Sequence, residues 1–380
     1  MRLFPLGMAL LVLWADGAPF WHASAQAKGI EVSVNLNVET VACLFSLTEQ
    51  GASQRYGFGF SSHRKEVMAR FAYVRDHAAV EMSDEVLERG VWAPPLWVAL
   101  NSSSFPNGRL VHDLPPWVYQ AVSSTGDIED GRAKVAAYIQ LLNNFYRDAG
   151  LDTFYKEKTP FYRRVEGQVK RNLPPEGFIG VMESYYGMAH ARYVLVPSPA
   201  ILEFAGIGVA VQTEEGTEVY NVFGASLPRA VKDSIEAGTR KFDPDDFTFD
   251  DPERIRELSV HEFGHAFINP VAERYRDQLN RYSYLYAPIR KRMSELTYQD
   301  WWDCAVEHIV RAGEIQIAKA LGEEKSAQRL MKDYTERYQF IYLPQIVSAL
   351  EKYEQNQSVF PTIEAYFPEL VKAFEDAAQE

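Results

Sequence analysis

The segment that most restricts the fold is residues 206–225, GIGVAVQTEEGTEVYNVFGA. Two runs rich in β-branched residues are separated at Glu214-Glu215-Gly216, which is the pattern of a β-hairpin. RYVLVPSPA, at 192–200, precedes it and reads as a further strand. Most of the remaining sequence has helical periodicity. We therefore predict an α+β fold in which a few strands are accompanied by several helices.

The first part of the chain is predicted to be mostly helical. Residues 29–48 read as a strand followed by a helix, and helical patterns cover Ser62 to Arg89 and Lys134 to Phe161. We place a helical N-terminal region at 28–172 and a second region at 173–380, and the two could also form one continuous unit. Helices are also predicted near 283–296, 298–321, 323–354 and 361–377.

The N-terminus, residues 1–27, has the three parts of a secretory signal peptide. Arg2 precedes an apolar stretch that runs from Leu3 to Trp14, and Ala25-Gln26-Ala27 is a small-residue cleavage site. The apolar stretch is shorter than the roughly 20 residues that a membrane span needs. We expect an exported protein, periplasmic or extracellular, with no membrane span in the mature chain.

Composition limits the partners. The chain has 39 Lys and Arg against 52 Asp and Glu, a net charge of −13, which argues against nucleic-acid binding. Cys43 and Cys304 are the only cysteines. They could form one disulfide in an oxidising compartment, and the sequence leaves open whether they pair. It also leaves the oligomeric state open.

The strongest chemical signal lies in LSVHEFGHAFINP, residues 258–270. Asp250 or Asp251 can cap a helix that begins here, and we predict that the helix ends at Asn269-Pro270.

His261 and His265 are one turn apart on that helix and therefore share a face. Two imidazoles on one face can bind a zinc ion, and Glu262 can then act as general base toward water. The plain alternative is a helix with surface histidines.

A catalytic zinc ion takes three protein ligands, so a third must be found. The metzincin class would have Gly at position 268 and His at position 271. This chain has Ile268 and Val271, which excludes that class.

A downstream carboxylate remains as the third ligand. Asp303, Glu307 and Glu314 fall on one stripe of a predicted helix. Glu307 is the best candidate because it is central and Arg311, one turn later, can steady it. His308 competes for the role. Alternatively, Glu307 only forms a salt bridge with Arg311.

The developing oxyanion of a hydrolytic reaction needs a Tyr or His donor. The segment between the two predicted metal helices offers four tyrosines, although such residues are more often packed in the core. They are Tyr275, Tyr282, Tyr284 and Tyr286.

HEFGH followed by a glutamate on a later helix resembles the gluzincin branch of the zincin metallopeptidases. The resemblance implies a small mixed sheet whose edge strand lies above the metal helix, with extended substrate along that strand, here the 206–225 hairpin. It implies zinc binding by His261 and His265, base catalysis by Glu262 and, as third ligand, Glu307. In many gluzincins an acidic residue follows the third ligand by four positions, whereas this chain has Arg311.

A wider resemblance covers nearly all of the mature chain and is to an uncharacterised exported bacterial family, a domain of unknown function. The similar blocks are NVETVACLFSL, FAYVRDHAAV, NNFYRDAGLDTFY, HEFGHAFINP, EHIVRA and YEQNQSVFPTIEAYFPEL. We expect a secreted zinc metallopeptidase that acts on peptides or proteins. The other hypothesis is a non-catalytic exported module that binds peptide or protein and carries a structural or vestigial metal site.

Overall fold

The computed structural model describes residues 28–52, 59–89 and 92–377. The predicted signal peptide, 1–27, lies outside the described residues. The described chain is α+β, as predicted, with sixteen α-helices and one sheet.

The strands are β1 (Ile30–Val32), β2 (Arg192–Pro197), β3 (Gly206–Thr213) and β4 (Gly216–Phe223). The helices of the N-terminal half are α1 (Leu36–Leu47), α2 (Ser62–Arg70), α3 (Ala78–Glu88), α4 (Pro94–Leu100), α5 (Pro116–Val122), α6 (Ile128–Asp148), α7 (Leu151–Arg171) and α8 (Phe178–Tyr186). Those of the C-terminal half are α9 (Arg229–Glu236), α10 (Pro252–Arg274), α11 (Arg276–Asn280), α12 (Tyr286–Glu295), α13 (Trp301–Ala320), α14 (Glu324–Lys332), α15 (Leu343–Gln355) and α16 (Ile363–Ala377).

The sheet is small and mixed. Its order is β1-β2-β4-β3, with β1, β2 and β4 parallel and β3 antiparallel to β4. The predicted hairpin is confirmed as β3 and β4, with its turn at Glu214-Glu215. In the hairpin register Gly208 pairs with Asn221, and β3 forms one edge of the sheet.

The two faces of the sheet pack against different helices, because successive strand residues point to opposite sides. Tyr193 and Leu195 of β2 join a core that contains α10, α13, α15 and α16. Val194 and Val196, their neighbours, join a core built from the N-terminal helices α1 to α7. The sheet therefore lies between two helical layers. A domain boundary at 172/173 stays a prediction.

Helix α10 is longer than its sequence indicates. It begins as predicted, with the Asp251 side chain accepting from the backbone amide of Arg254 at 3.0 Å. It then continues through Pro270 to Arg274, so the predicted end at Asn269-Pro270 is wrong. Proline removes a single intrahelical hydrogen bond, and burial of Val271 and Ala272 in the core outweighs that loss.

The predicted helical stretch 323–354 is two helices, α14 and α15. A π-helical turn at Asp333–Arg337 follows α14. Gln339 then has a φ of 63°, a left-handed backbone conformation that a right-handed helix cannot contain. Pro344 then lies in the first turn of α15, where its missing amide costs nothing.

The two cysteines are buried and free. Cys43 packs among the N-terminal helices and Cys304 in the core on the other side of the sheet, so they do not pair. Across the described residues, none of the helices combines the length and the apolar character that crossing a membrane requires.

Candidate metal centre

The metal centre suggested by the sequence lies where α10 packs against α13. His261 and His265 project from α10, with their Nε2 atoms 3.3 Å apart. Glu307 projects from α13, and its Oε1 lies 3.1 Å from His265 Nε2 while its Oε2 lies 3.8 Å from His261 Nε2. One donor atom from each of the three lies within 4.8 Å of the others. The structure thus brings these three predicted residues together.

The spacing of these atoms suits a metal ion. Four donors around tetrahedral zinc at about 2.0–2.1 Å are separated from one another by roughly 3.3 Å. The observed separations of 3.1, 3.3 and 3.8 Å bracket that value. Two imidazoles and a carboxylate are also a donor set that catalytic zinc uses. The group could therefore hold a metal ion.

The three side chains interact strongly with one another. Burial alone would lower the pKa of His265, but the Glu307 and Glu262 carboxylates outweigh it and raise that pKa to about 9. Burial would raise the pKa of Glu307, but the charges of His261, Arg311 and His265 prevail and hold it well below its ordinary value. Glu307 is therefore an anionic donor at neutral pH.

Each histidine also forms a hydrogen bond through its Nδ1 atom, which fixes the orientation of its ring. His261 Nδ1 donates to Glu314 Oε1 at 2.6 Å, and His265 Nδ1 donates to Asn269 Oδ1 at 3.0 Å. Both Nε2 atoms consequently face the shared point between the three side chains. Asn269 was not among the residues predicted for the site. Its position four residues after His265, on the same helix face, is the sequence signal that identifies it.

The other predicted third ligands have different positions. Glu314 contacts His261 through Nδ1 and is thus a partner of a ligand. His308 is fully buried and donates from Nδ1 to the carbonyl oxygen of Cys304 at 2.7 Å, and burial lowers its pKa to about 4. Asp303 is exposed and lies outside the three-residue group.

Arg311 supplies a cation beside Glu307. Its Nη2 lies 3.2 Å from Glu307 Oε2 and donates to the Tyr298 hydroxyl at 3.0 Å. The guanidinium carbon lies 4.6 Å from the ring centre of Tyr334 and 4.7 Å from that of Phe340. The predicted salt bridge between Glu307 and Arg311 thus exists together with the three-residue group.

Glu262 is only 6% exposed and lies against the edge strand β3. A methyl group at Gly206 would be 2.9 Å from Glu262 Oε1, and one at Gly208 would be 2.6 Å from the Glu262 carbonyl oxygen. The Asn221 side chain of β4 donates to the carbonyl oxygen of Leu258 at 3.1 Å. These contacts fix the hairpin against the helix that carries Glu262.

Among the described residues, no hydrogen bond or ring contact joins the four tyrosines proposed as oxyanion donors to His261, His265 or Glu307. Tyr286 is buried and donates to the carbonyl oxygen of Tyr298 at 2.9 Å. Tyr275 and Tyr282 pack against phenylalanines of α16, and Tyr284 is exposed. These residues serve packing or lie on the surface.

A different tyrosine, Tyr298, lies beside Glu307 and Arg311. Burial and then the Glu307 charge raise its pKa, and its hydroxyl accepts from Arg311. It lies in the short loop before α13, although the sequence predicted that this helix begins near residue 298.

Comparison with known proteins gives a match to a family model. Residues 119–373 match the family model described as Domain of unknown function (DUF4932). The match covers about two thirds of the chain and includes every residue of the metal centre. No curated protein matches the chain, and no solved structure matches it either.

Proposed function

We propose that this chain, which belongs to the DUF4932 family, is an exported zinc-dependent metallopeptidase. The observation that carries the proposal is the convergence of His261, His265 and Glu307 on one point, with Glu262 next to His261 in the sequence. The donor set supports zinc as the metal. Two imidazoles and one carboxylate suit zinc better than they suit calcium or magnesium, which prefer sites made only of oxygen donors.

His261, His265 and Glu307 would hold the ion, and a bound zinc ion supplies Lewis-acid activation of water and of a substrate carbonyl. Glu262 would take a proton from the attacking water and later give it to the leaving amine. The Glu262 side chain is buried where α10 packs against β3, and this packing limits its movement.

Peptide is the substrate class that the surroundings favour. β3 is an edge strand, paired on one side with β4, and it lies directly against Glu262. An extended peptide can add to such an edge through main-chain hydrogen bonds. Gly206 and Gly208 lack side chains where the strand approaches the helix, so a peptide on this edge would lie close to the metal ligands.

The proposal is tested with purified mature protein, from Lys28 onward, and a mixed peptide library whose cleavage is followed by mass spectrometry. We expect cleavage that a chelator abolishes and that a stoichiometric amount of zinc restores. Zinc binding without any cleavage would favour the non-catalytic binding module. Cleavage that survives removal of the metal would contradict a zinc-dependent mechanism.

A further inference from the structure

We infer that Glu314, together with Tyr334, positions His261 for metal binding, which deepens the proposed function and rests on it. In the zinc site, Glu314 would act through His261 and would not touch the ion. The chain has Arg311 where the gluzincin resemblance implies an acidic residue, and Glu314 is the carboxylate that contacts a histidine of the site.

The contacts of Glu314 use both carboxylate oxygens. Oε1 accepts from His261 Nδ1 at 2.6 Å, and Oε2 accepts from the Tyr334 hydroxyl at 2.5 Å. The side chain is only 2% exposed. A buried carboxylate is costly unless its oxygens are hydrogen-bonded, so these two donors account for its presence in the core.

The path of the helices explains why residue 314 takes this role. His265 contacts Glu307, whereas His261, one turn earlier on α10, contacts Glu314, two turns later on α13. The two helices therefore run antiparallel along the site. A carboxylate at position 314 faces His261, and position 311 lies beside Glu307.

Tyr334 connects Glu314 to the rest of the site. It lies in the π-helical turn Asp333–Arg337, an irregular backbone form that is frequent at functional sites. The Arg311 guanidinium lies over its ring and also pairs with Glu307. The contacts thus run from His261 through Glu314, Tyr334 and Arg311 back to Glu307, and they restrain two ligands together.

The physical role follows from the hydrogen bond to Nδ1. An anionic acceptor fixes the proton on Nδ1, keeps the Nε2 lone pair available and raises the basicity of the imidazole as a donor. Loss of such an outer partner typically lowers metal affinity by about 10- to 100-fold.

The experiment measures zinc affinity by competition with a chromophoric chelator and records the visible spectrum of the Co²⁺-substituted protein. Glu314→Ala should weaken zinc binding by about 10- to 100-fold and shift the Co²⁺ absorption bands. Glu314→Gln keeps an acceptor for His261 and should recover most of the affinity. Glu257→Ala is the matched control: Glu257 pairs with Arg329 and should leave affinity and spectrum unchanged.

Unchanged zinc affinity and an unchanged Co²⁺ spectrum in folded Glu314→Ala would overturn the inference. If that variant does not fold, Tyr334→Phe is measured instead, because it removes only the hydroxyl group. A loss of about tenfold in zinc affinity supports the inference, and an unchanged zinc affinity overturns it. Absence of zinc binding in the unaltered protein would instead show that the proposed function itself is wrong.

Discussion

Gly208 of the edge strand faces the main chain of Glu262 so closely that a β-carbon at residue 208 would lie 2.6 Å from the Glu262 carbonyl oxygen. Backbone atoms cannot rotate away as a side chain does. The strand and the metal helix therefore keep this distance only with glycine at position 208. The proximity places the edge strand β3 beside the residue that we propose as the base.

Gly208→Ala should push β3 away from α10. We expect a loss of about 1–3 kcal/mol in the free energy of unfolding, as for an overpacked core, and a large loss of peptide cleavage. Zinc affinity should change little, since the ligands point from α10 toward α13. Denaturant unfolding, peptide cleavage and zinc titration measure the three quantities.

Gly180→Ala is the matched control for that substitution. Gly180 lies in α8. Apart from its chain neighbours and the backbone of its own helix, no atom would lie within 4 Å of a β-carbon at this position. Alanine should stabilise this helix by about 0.5–1 kcal/mol and leave cleavage unchanged. Equal effects of the two substitutions would contradict a special role for Gly208.

Glu307→Gln should lower zinc affinity by more than ~100-fold, because loss of a ligand exceeds the effect of losing an outer partner. Asp303→Asn, one turn earlier on α13 and exposed, should keep zinc affinity within about threefold. Isothermal titration with zinc compares the two. A strong effect of Asp303→Asn with a weak effect of Glu307→Gln would assign the third ligand to Asp303.

Arg311→Met should destabilise the metal-free protein by about 3 kcal/mol, because it removes one of the positive charges that offset the buried Glu307 carboxylate. A bound zinc ion would replace the missing positive charge. Zinc should therefore raise the melting temperature of the variant more than that of the unaltered protein. An equal rise in both proteins would show that Arg311 does not compensate Glu307.

Glu39 predicts a pH dependence outside the metal centre. It is fully buried in α1, accepts from the Ser198 hydroxyl, and burial raises its pKa from 4.5 to about 7. The folded protein therefore binds this proton more tightly than the unfolded chain. This difference contributes up to ~3 kcal/mol to the stability of the folded protein. The contribution is fully present below pH 4.5 and is lost as the pH rises through about 7.

Glu39→Gln should flatten the fall of the melting temperature between pH 5 and pH 8, since glutamine does not ionise. Glu49→Gln changes an exposed carboxylate just after α1 and should leave the pH profile as it is. Differential scanning calorimetry across this range measures the slope. A profile of Glu39→Gln that is parallel to that of the unaltered protein would contradict the assignment.

Local sequence patterns were sufficient to predict the hairpin and the start of α10. Alternation and the Glu214-Glu215-Gly216 turn define β3 and β4, and Asp251 with Pro252 marks the helix start. The end of α10 could not be predicted in the same way. Burial of Val271 and Ala272 is a tertiary effect that outweighs the local signal of Pro270.

The site shows a similar division. Helical spacing alone places His261 and His265 on one face and puts Glu307 on a stripe of α13. Glu314 contacts His261 because of the way α10 and α13 pack against each other. The sequence pattern of either helix alone does not reveal this packing. Tyr298 likewise reaches the centre only through tertiary packing.

The most direct measurement compares Glu262→Gln with the unaltered protein in two assays, zinc titration and cleavage of the same peptide library. We predict an unchanged zinc stoichiometry and affinity within about threefold, with cleavage reduced by at least ~100-fold, because general acid–base catalysis contributes about 10²–10⁴-fold. Cleavage by Glu262→Gln at the rate of the unaltered protein, with zinc bound, would contradict the assignment of Glu262 as the base.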